Sequence, residues 1–509
     1  MTDCRLMLLL LLLSGVLFAG CADDGRPVLS GFLLAESPSS VLAYTVAFDT
    51  DLPATTVVEV VADDGEVLTV PADAAMATTH ELTILGLRAE TTYTLVVRAT
   101  GPGGGEARRE EAFTTRALPD DLPPLDVEVL EPDRVEPGYT FFGIRRWTPA
   151  VDGEYGYLLA LNRDGDVVWY VDLGHVPGPV EQRPNGNIVY TYQNRNMAEL
   201  TPLGDRVWSR AAGDLGMDSF HHENHLLADG SILVLGTELR TVGGYPDDAT
   251  YDVVGDTVAL LDPGATTVLH EHSLFDVLDP LRTRPGFDAT FWNGHYADVS
   301  DGTKDWTHGN AVVVDPSDGS YVASLRHQDW LVKVAADDGS LLWRFGHEGD
   351  FALTDNGLFP FHTHSPVFDD DGVLLVYDNG NARVGLEGPP FTRAVAYRLD
   401  EAQMTATELW EYRGDEPYHA PFVGSVQRLT NGNVLVTDGG LIEGCPSADD
   451  PMACVPQNTR QKWARVTEVT GDADATAVWR LTVRDDAEES PTGYTVYRAY
   501  RIASLYGAQ

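Results

Sequence analysis

The feature that most limits the fold of this chain is a two-part unit recurring from about Gly138 onward. One part is a turn glycine leading into an apolar run: RPNGNIVYTY, LADGSILVLG, PSDGSYVASL, DDDGVLLVYD and LTNGNVLVTD. The other is a turn followed by an apolar run ending in tryptophan: NRDGDVVWYV, PLGDRVWSR and ADDGSLLWRF, with ELWEY and TAVWRL as weaker copies. Short β-runs repeating at irregular periods are what radial β-repeats produce, with insertions placed in the loops between strands. The pattern predicts an all-β domain over residues 138–509, read as a six-bladed β-propeller. Its recurrent tryptophans read as blade-packing residues.

In a propeller the innermost strands surround the axis, so residues at equivalent places in different blades approach one another at the mouth. Three segments place histidine ahead of such a strand: HHENHLLADGSILVLG from His221, HGNAVVVDPSDGSYVASLRHQ from His308, and HTHSPVFDDDGVLLVYDNG from His362. His222 precedes the turn glycine Gly230 by eight residues, His364 precedes Gly372 by eight, and His308 precedes Gly319 by eleven. Equivalent positions predict that His222, His308 and His364 converge with Arg326. Converging imidazoles and a guanidinium can hold an anion and move protons. His221, His327 and His362 read as supporting neighbours at a substrate, and Asn310 as a positioning group. His225 and His295 read as capped or core residues. A metal held by the His and Glu of HHENH or HTH is the alternative to a site without metal or cofactor, which is the expectation. The polar, Gly-rich stretch PLRTRPGFDATFWNGHYADVSDGTKDW reads as a long loop near that mouth.

Residues 1–21 read as an address: Arg5, an apolar stretch Leu6 to Phe18, and Ala19-Gly20-Cys21 as a small-residue cleavage site. This resembles a bacterial lipoprotein signal, with Cys21 lipidated; an ordinary signal peptide cut nearby is the alternative. Either predicts export to the cell envelope, with the membrane touched only through the N-terminal lipid. In an oxidising compartment Cys445 and Cys454, close together in GCPSADDPMACVP, read as a disulfide.

Residues 26–117 alternate apolar and polar positions between Asp, Gly and Pro turns, and LTILGLRAETTYTLVVRATGPGG resembles a fibronectin type III domain with Tyr93 as its buried corner tyrosine. Residues 118–137, rich in Pro and Asp, read as a linker. The formal net charge of -44 disfavours nucleic acid and anionic lipid headgroups as partners. Asp369-Asp370-Asp371 reads as solvated surface rather than a calcium site. An anionic substrate then needs a local positive pocket, which the His and Arg cluster supplies. Oligomeric state is not legible, which leaves room for a homo-oligomer.

DWTHGNAVVVDPSDGSYVASLRHQDWLVKV, HHENHLLADGSILVLG, HTHSPVFDDDGVLLVYDNG, QRLTNGNVLV and YRAYRIASLYG together resemble the bacterial arylsulfate sulfotransferases. The resemblance implies a six-bladed propeller after a β-sandwich. It implies ping-pong transfer of a sulfuryl group from a phenolic sulfate ester to a phenol, without a nucleotide sulfate donor. It places the transiently sulfated histidine on His364, its supporting groups on His222, His308 and Arg326, and a short disulfide on Cys445 and Cys454. HTH, where relatives often carry glutamine, is a departure at His362. A quinoprotein-like propeller, suggested by AADDGSLLWRFG, and a non-catalytic envelope binding propeller are the rival readings.

Overall fold

A computed structural model describes residues 25–72, 75–147, 155–354, 356–385, 389–416, 418–443, 461–485 and 493–508. Cys21, Cys445 and Cys454 lie outside the described residues. Among these residues the chain is all-β, its helical content limited to four short 3-10 segments, and no helix is long and apolar enough to cross a membrane.

The chain divides into two compact units. The first collects the described parts of Met1–Leu34, Thr45–Leu82 and Thr92–Phe113. Its organising element is the 23-residue strand Ser40–Ala62, which pairs with four others, so six strands form one hydrogen-bonded set. Alternation sets its core: Val58 and Val60 face inward with Tyr93, Leu95 and Val97 from the antiparallel strand Thr92–Thr100.

The second unit takes Ala35–Tyr44, Thr83–Thr91 and everything from Thr114. Antiparallel sheets follow in chain order, opening at Pro177–Gln182, His221–Leu226, Gly309–Val314 and His364–Phe368. A nine-stranded set holds the rest. In it Gly493–Ile502 pairs with Tyr139–Trp147, and Ser425–Arg428 opens a second run through Val434–Ile442, Lys462–Val469 and Ala477–Val483. A single parallel bridge, Lys462 to Gly493, joins the two runs. The opening strands touch in sequence and return to the start: Pro177–Gln182, His221–Leu226, Gly309–Val314, His364–Phe368, Ser425–Arg428, Gly493–Ile502 and back to Pro177–Gln182. This arrangement is propeller-like. Trp169, Trp343 and Trp479 are buried, and the indoles of Trp169 and Trp479 donate to turn carbonyls at Pro202 (2.7 Å) and Arg163 (2.8 Å).

The stretch expected to be a linker contains the strand Leu125–Val129, paired antiparallel with Ala477–Val483. Its five residues alternate, LDVEV, and the neighbouring strand satisfies the backbone groups that face it.

Candidate active site

One local device places the imidazoles. The ladder slips in five of the six opening strands, and three of these slips fall at the histidines: between His221 and Asn224, between Gly309 and Ala311, and between His364 and Val367. Non-glycine residues in or beside these slips sit at positive φ: His222 at 57°, His308 at 48°, His362 at 52° and Ser365 at 43°. Each costs about 1–3 kcal/mol, and bulges re-aim side chains that a regular strand would alternate.

The rings that result are neighbours. Centroids of His222 and His308 are 5.3 Å apart, and His308 stacks on His327 at 4.6 Å. His327 lies 6.0 Å from His362. Tyr497 stands 5.7 Å from His222 and 6.5 Å from His364. Arg326 donates through Nη1 to His327 Nε2 at 2.8 Å and through Nη2 to the Pro421 carbonyl at 3.1 Å. The residues expected at one mouth are therefore in one cluster.

His364 Nδ1 is 2.6 Å from Asn379 Oδ1. The Asn379 amide nitrogen donates to the carbonyls of Ala420 (2.8 Å) and Val423 (3.0 Å), which fixes Oδ1 as the atom facing the ring. Nδ1 of His364 must then carry the proton, and Nε2 keeps the lone pair. Burial, then the Arg326 cation, holds this imidazole well below its usual pKa, so it is neutral.

His222 and His308 are also oriented through Nδ1. His221 Nε2 lies 3.0 Å from Asp256 Oδ1, and His221 Nδ1 lies 2.8 Å from His222 Nδ1. Both ring nitrogens of His221 are thus engaged within the protein, and its task is to hold His222. His308 Nδ1 is 2.6 Å from Asp305 Oδ2. Burial raises the Asp305 carboxyl to about 6, and burial with the Arg326 cation lowers His308 to about 3. Below about pH 6 the two share one transferable proton, because a pair with that proton is net neutral and burial favours neutrality.

Arg326 stays cationic: burial lowers it to about 10, still far above neutrality. His327 Nδ1 donates to the Asp305 carbonyl at 2.9 Å, so its Nε2 accepts from Arg326 and steers the guanidinium. Among the described residues no carboxylate lies within ion-pair distance of Arg326, whereas the nearby Arg498 is neutralised by Glu223 at 2.7 Å. Arg326 is therefore the cation with unspent charge for an anionic group. His362 Nδ1 contacts Asp329 Oδ1 at 2.8 Å. Asn310 donates from Nδ2 to the Thr363 carbonyl at 2.6 Å, one residue before His364, and its Oδ1 has no partner among the described residues.

Asp305, His308 and His327 offer ligand atoms within 4.8 Å of one another. His327 uses both ring nitrogens, on the Asp305 carbonyl and Arg326, which leaves only Asp305 Oδ1 and His308 Nε2 without a partner among the described residues, and the Arg326 cation 2.8 Å from His327 Nε2 opposes a second positive charge. These residues do not suit a metal.

Sequence reasoning missed Asn379, Asp305, Tyr497 and His419. Asn379 and Asp305 lie inside quoted motifs, VYDNG and DWTHG, where each reads as a turn residue. Tyr497 donates its hydroxyl to the carbonyls of His222 (3.2 Å) and Asn310 (3.0 Å). His419 is buried, neither ring nitrogen has a partner among the described residues, and burial, then His362 and Arg326, lowers it to about 4.

Comparison with known proteins finds relatives in sequence. The arylsulfate sulfotransferase AssT of Escherichia coli O6:H1 (strain CFT073) is 27% identical over 172 residues, 27% of this chain and 28% of that protein. The enzyme of the same name from Lelliottia amnigena is 28% identical over 171 residues, with the same coverage. Each alignment thus spans little more than a quarter of the relative's length. Among solved structures, Kuenenia stuttgartiensis hydrazine synthase aligns over 59% of this chain and 64% of that chain with 11% identity and a TM-score of 0.29, too low to carry an argument. The family model Arylsulfotransferase (ASST) matches residues 140–494, so the chain belongs to the arylsulfotransferase family.

Proposed function

We propose that this protein transfers a sulfuryl group from a phenolic sulfate ester to a phenol, by a ping-pong route through a sulfohistidine at His364. The observation that carries the reading is the fixed tautomer of His364: Nδ1 is tied to Asn379 at 2.6 Å and Nε2 is left as a nucleophile.

In the first half-reaction the Nε2 lone pair of His364 forms a bond to sulfur, and the sulfur–oxygen bond to the aryl group breaks. The bonding pair leaves on the phenolic oxygen. The proton of the Asp305–His308 pair moves from His308 Nε2 to that oxygen, and neutral phenol departs. Arg326 donates to the sulfuryl oxygens, where its planar fork suits two acceptors, and His222 stabilises the leaving or entering oxygen. In the second half-reaction the incoming phenol returns its proton to the same pair as its oxygen attacks sulfur, and His364 is released. Atoms and charge balance over the cycle, with no nucleotide sulfate and no cofactor.

The closed circuit of six opening strands supports the six-bladed reading, with residues 26–117 as a fibronectin-like module and 138–509 as the catalytic domain, to which the strand Leu125–Val129 of the stretch 118–137 adds an edge. An exported lipoprotein, anchored at Cys21 in the cell envelope and carrying a Cys445–Cys454 disulfide, is the accompanying proposal.

The test is brief exposure to 4-nitrophenyl sulfate followed by peptide mass spectrometry. Sulfate is expected on the peptide containing His364, absent in His364→Ala, and nitrophenol release should depend on an added phenol. Sulfate on another residue refutes the nucleophile. Equal release without acceptor makes the protein a sulfatase.

A further inference from the structure

The segment between Val277 and Gly302 carries no strand, yet it is firmly held. Trp292 is 1% exposed and stands edge-on to His221 at 4.9 Å. The Tyr296 hydroxyl lies 3.1 Å from Asp218 Oδ2 and 2.8 Å from Thr237 Oγ1. Asn293 Oδ1 accepts from the Thr303 backbone N–H at 2.8 Å.

Phe291, immediately before the buried Trp292, is treated oppositely. It is 46% exposed although apolar neighbours are at hand. Its centroid is 5.0 Å from His308, 5.6 Å from His222 and 4.9 Å from Trp292. A rigid loop thus presents a bare aromatic ring beside the two imidazoles that serve the phenolic oxygen. A half-exposed aromatic ring beside these imidazoles offers an apolar face that gains by being covered by an aromatic ligand. In the proposed reaction the aryl ring is bonded directly to the oxygen that meets His308, whose ring centroid is 5.0 Å from that of Phe291, so Phe291 is within reach of it.

We propose that Phe291 is the specificity-determining residue for the aromatic ring of donor and acceptor, stacking on it edge-on or offset; this rests on the sulfuryl-transfer reading. An aliphatic alcohol or alkyl sulfate gains nothing from the quadrupole of the ring, so aromatic substrates are selected.

The test compares unaltered protein, Phe291→Ala and Phe291→Tyr. The alanine variant should raise KM for 4-nitrophenyl sulfate by about threefold to tenfold with kcat little changed, and the tyrosine variant should restore it. Calorimetric titration with 4-nitrophenol, which needs no turnover, should show the same loss and rescue of affinity. Unchanged phenol affinity and KM in Phe291→Ala overturn the inference, as does a fall in kcat alone, which would mean that the ring only positions the imidazoles. Absence of transfer by the unaltered protein instead refutes the reaction, so the two failures are told apart.

Discussion

Asn379 follows the strand Leu374–Asp378 and presents its carbonyl oxygen 2.6 Å from Nδ1 of His364, which opens the neighbouring strand. Because two carbonyls hold the Asn379 amide, this bond selects both the tautomer and the rotation of the proposed nucleophile. Asn379→Leu should slow single-turnover sulfation of the protein by roughly 100-fold, since misplacement of a reacting group costs on that order. The stranded carbonyls should lower stability by about 1–3 kcal/mol. Rapid quench with mass spectrometry and urea denaturation measure the two effects separately.

The Asp305–His308 pair sets a pH dependence. With Asp305 raised to about 6 by burial, the shared proton is lost as pH rises through that value. A donor with a poor leaving group, phenyl sulfate, needs that proton, so its half-reaction should fall by about tenfold per pH unit above 6. 4-Nitrophenyl sulfate, whose phenolate leaves unaided, should show a flat profile. Asp305→Asn should flatten the phenyl sulfate profile. The same shifts act oppositely on stability: the Asp305 contribution is complete below 3.8 and lost as pH rises through about 6, while the His308 contribution is complete above 6.5 and lost as pH falls toward about 3. Denaturation midpoints of Asp305→Asn and His308→Gln across this range check both signs.

Arg326→Lys should retain the fold, because the described residues give Arg326 no ion pair to lose and only two hydrogen bonds, to His327 and Pro421. An ammonium cannot offer paired donors to two sulfuryl oxygens, so kcat/KM should drop on the order of 10²–10³-fold. Steady-state kinetics beside a thermal melt decides it: wild-type turnover would make the guanidinium structural.

Much of this architecture was legible in the chain. Turn glycines Gly186, Gly230, Gly319, Gly372 and Gly432 all adopt positive φ, between 73° and 86°, a conformation that punishes other residues and so marks each repeat. His222 and His364 stand eight residues before their turn glycines and His308 eleven, an offset close enough to make them readable as equivalent positions. Asn379 was not, because its role depends on a tautomer chosen across a strand pair. Asp305 was not, because DWTH looks like any turn until the backbone folds the carboxylate under the ring. Phe291 sits in a loop without periodicity, where sequence carries no information about exposure. The strand Leu125–Val129 was hidden because its partner, Ala477–Val483, lies near the far end of the chain.

Arg498 and Glu223 couple the strand Gly493–Ile502 to the segment at His222. Their 2.7 Å pair is buried, and Arg498 Nη2 also donates to the carbonyls of His222 (3.2 Å) and Asn310 (2.9 Å). Arg498→Met leaves the Glu223 carboxylate buried and alone, and should destabilise the fold by about 3–5 kcal/mol. Adding Glu223→Leu removes the orphaned charge, so the double variant should recover most of that loss. Activity should not recover with it, because the carbonyls of His222 and Asn310 keep only the Tyr497 hydroxyl as a donor and the strained φ at His222 loses its guanidinium anchor. Chemical denaturation and transfer kinetics on both variants distinguish the two roles: recovery of both together would show that the arginine serves charge neutrality alone.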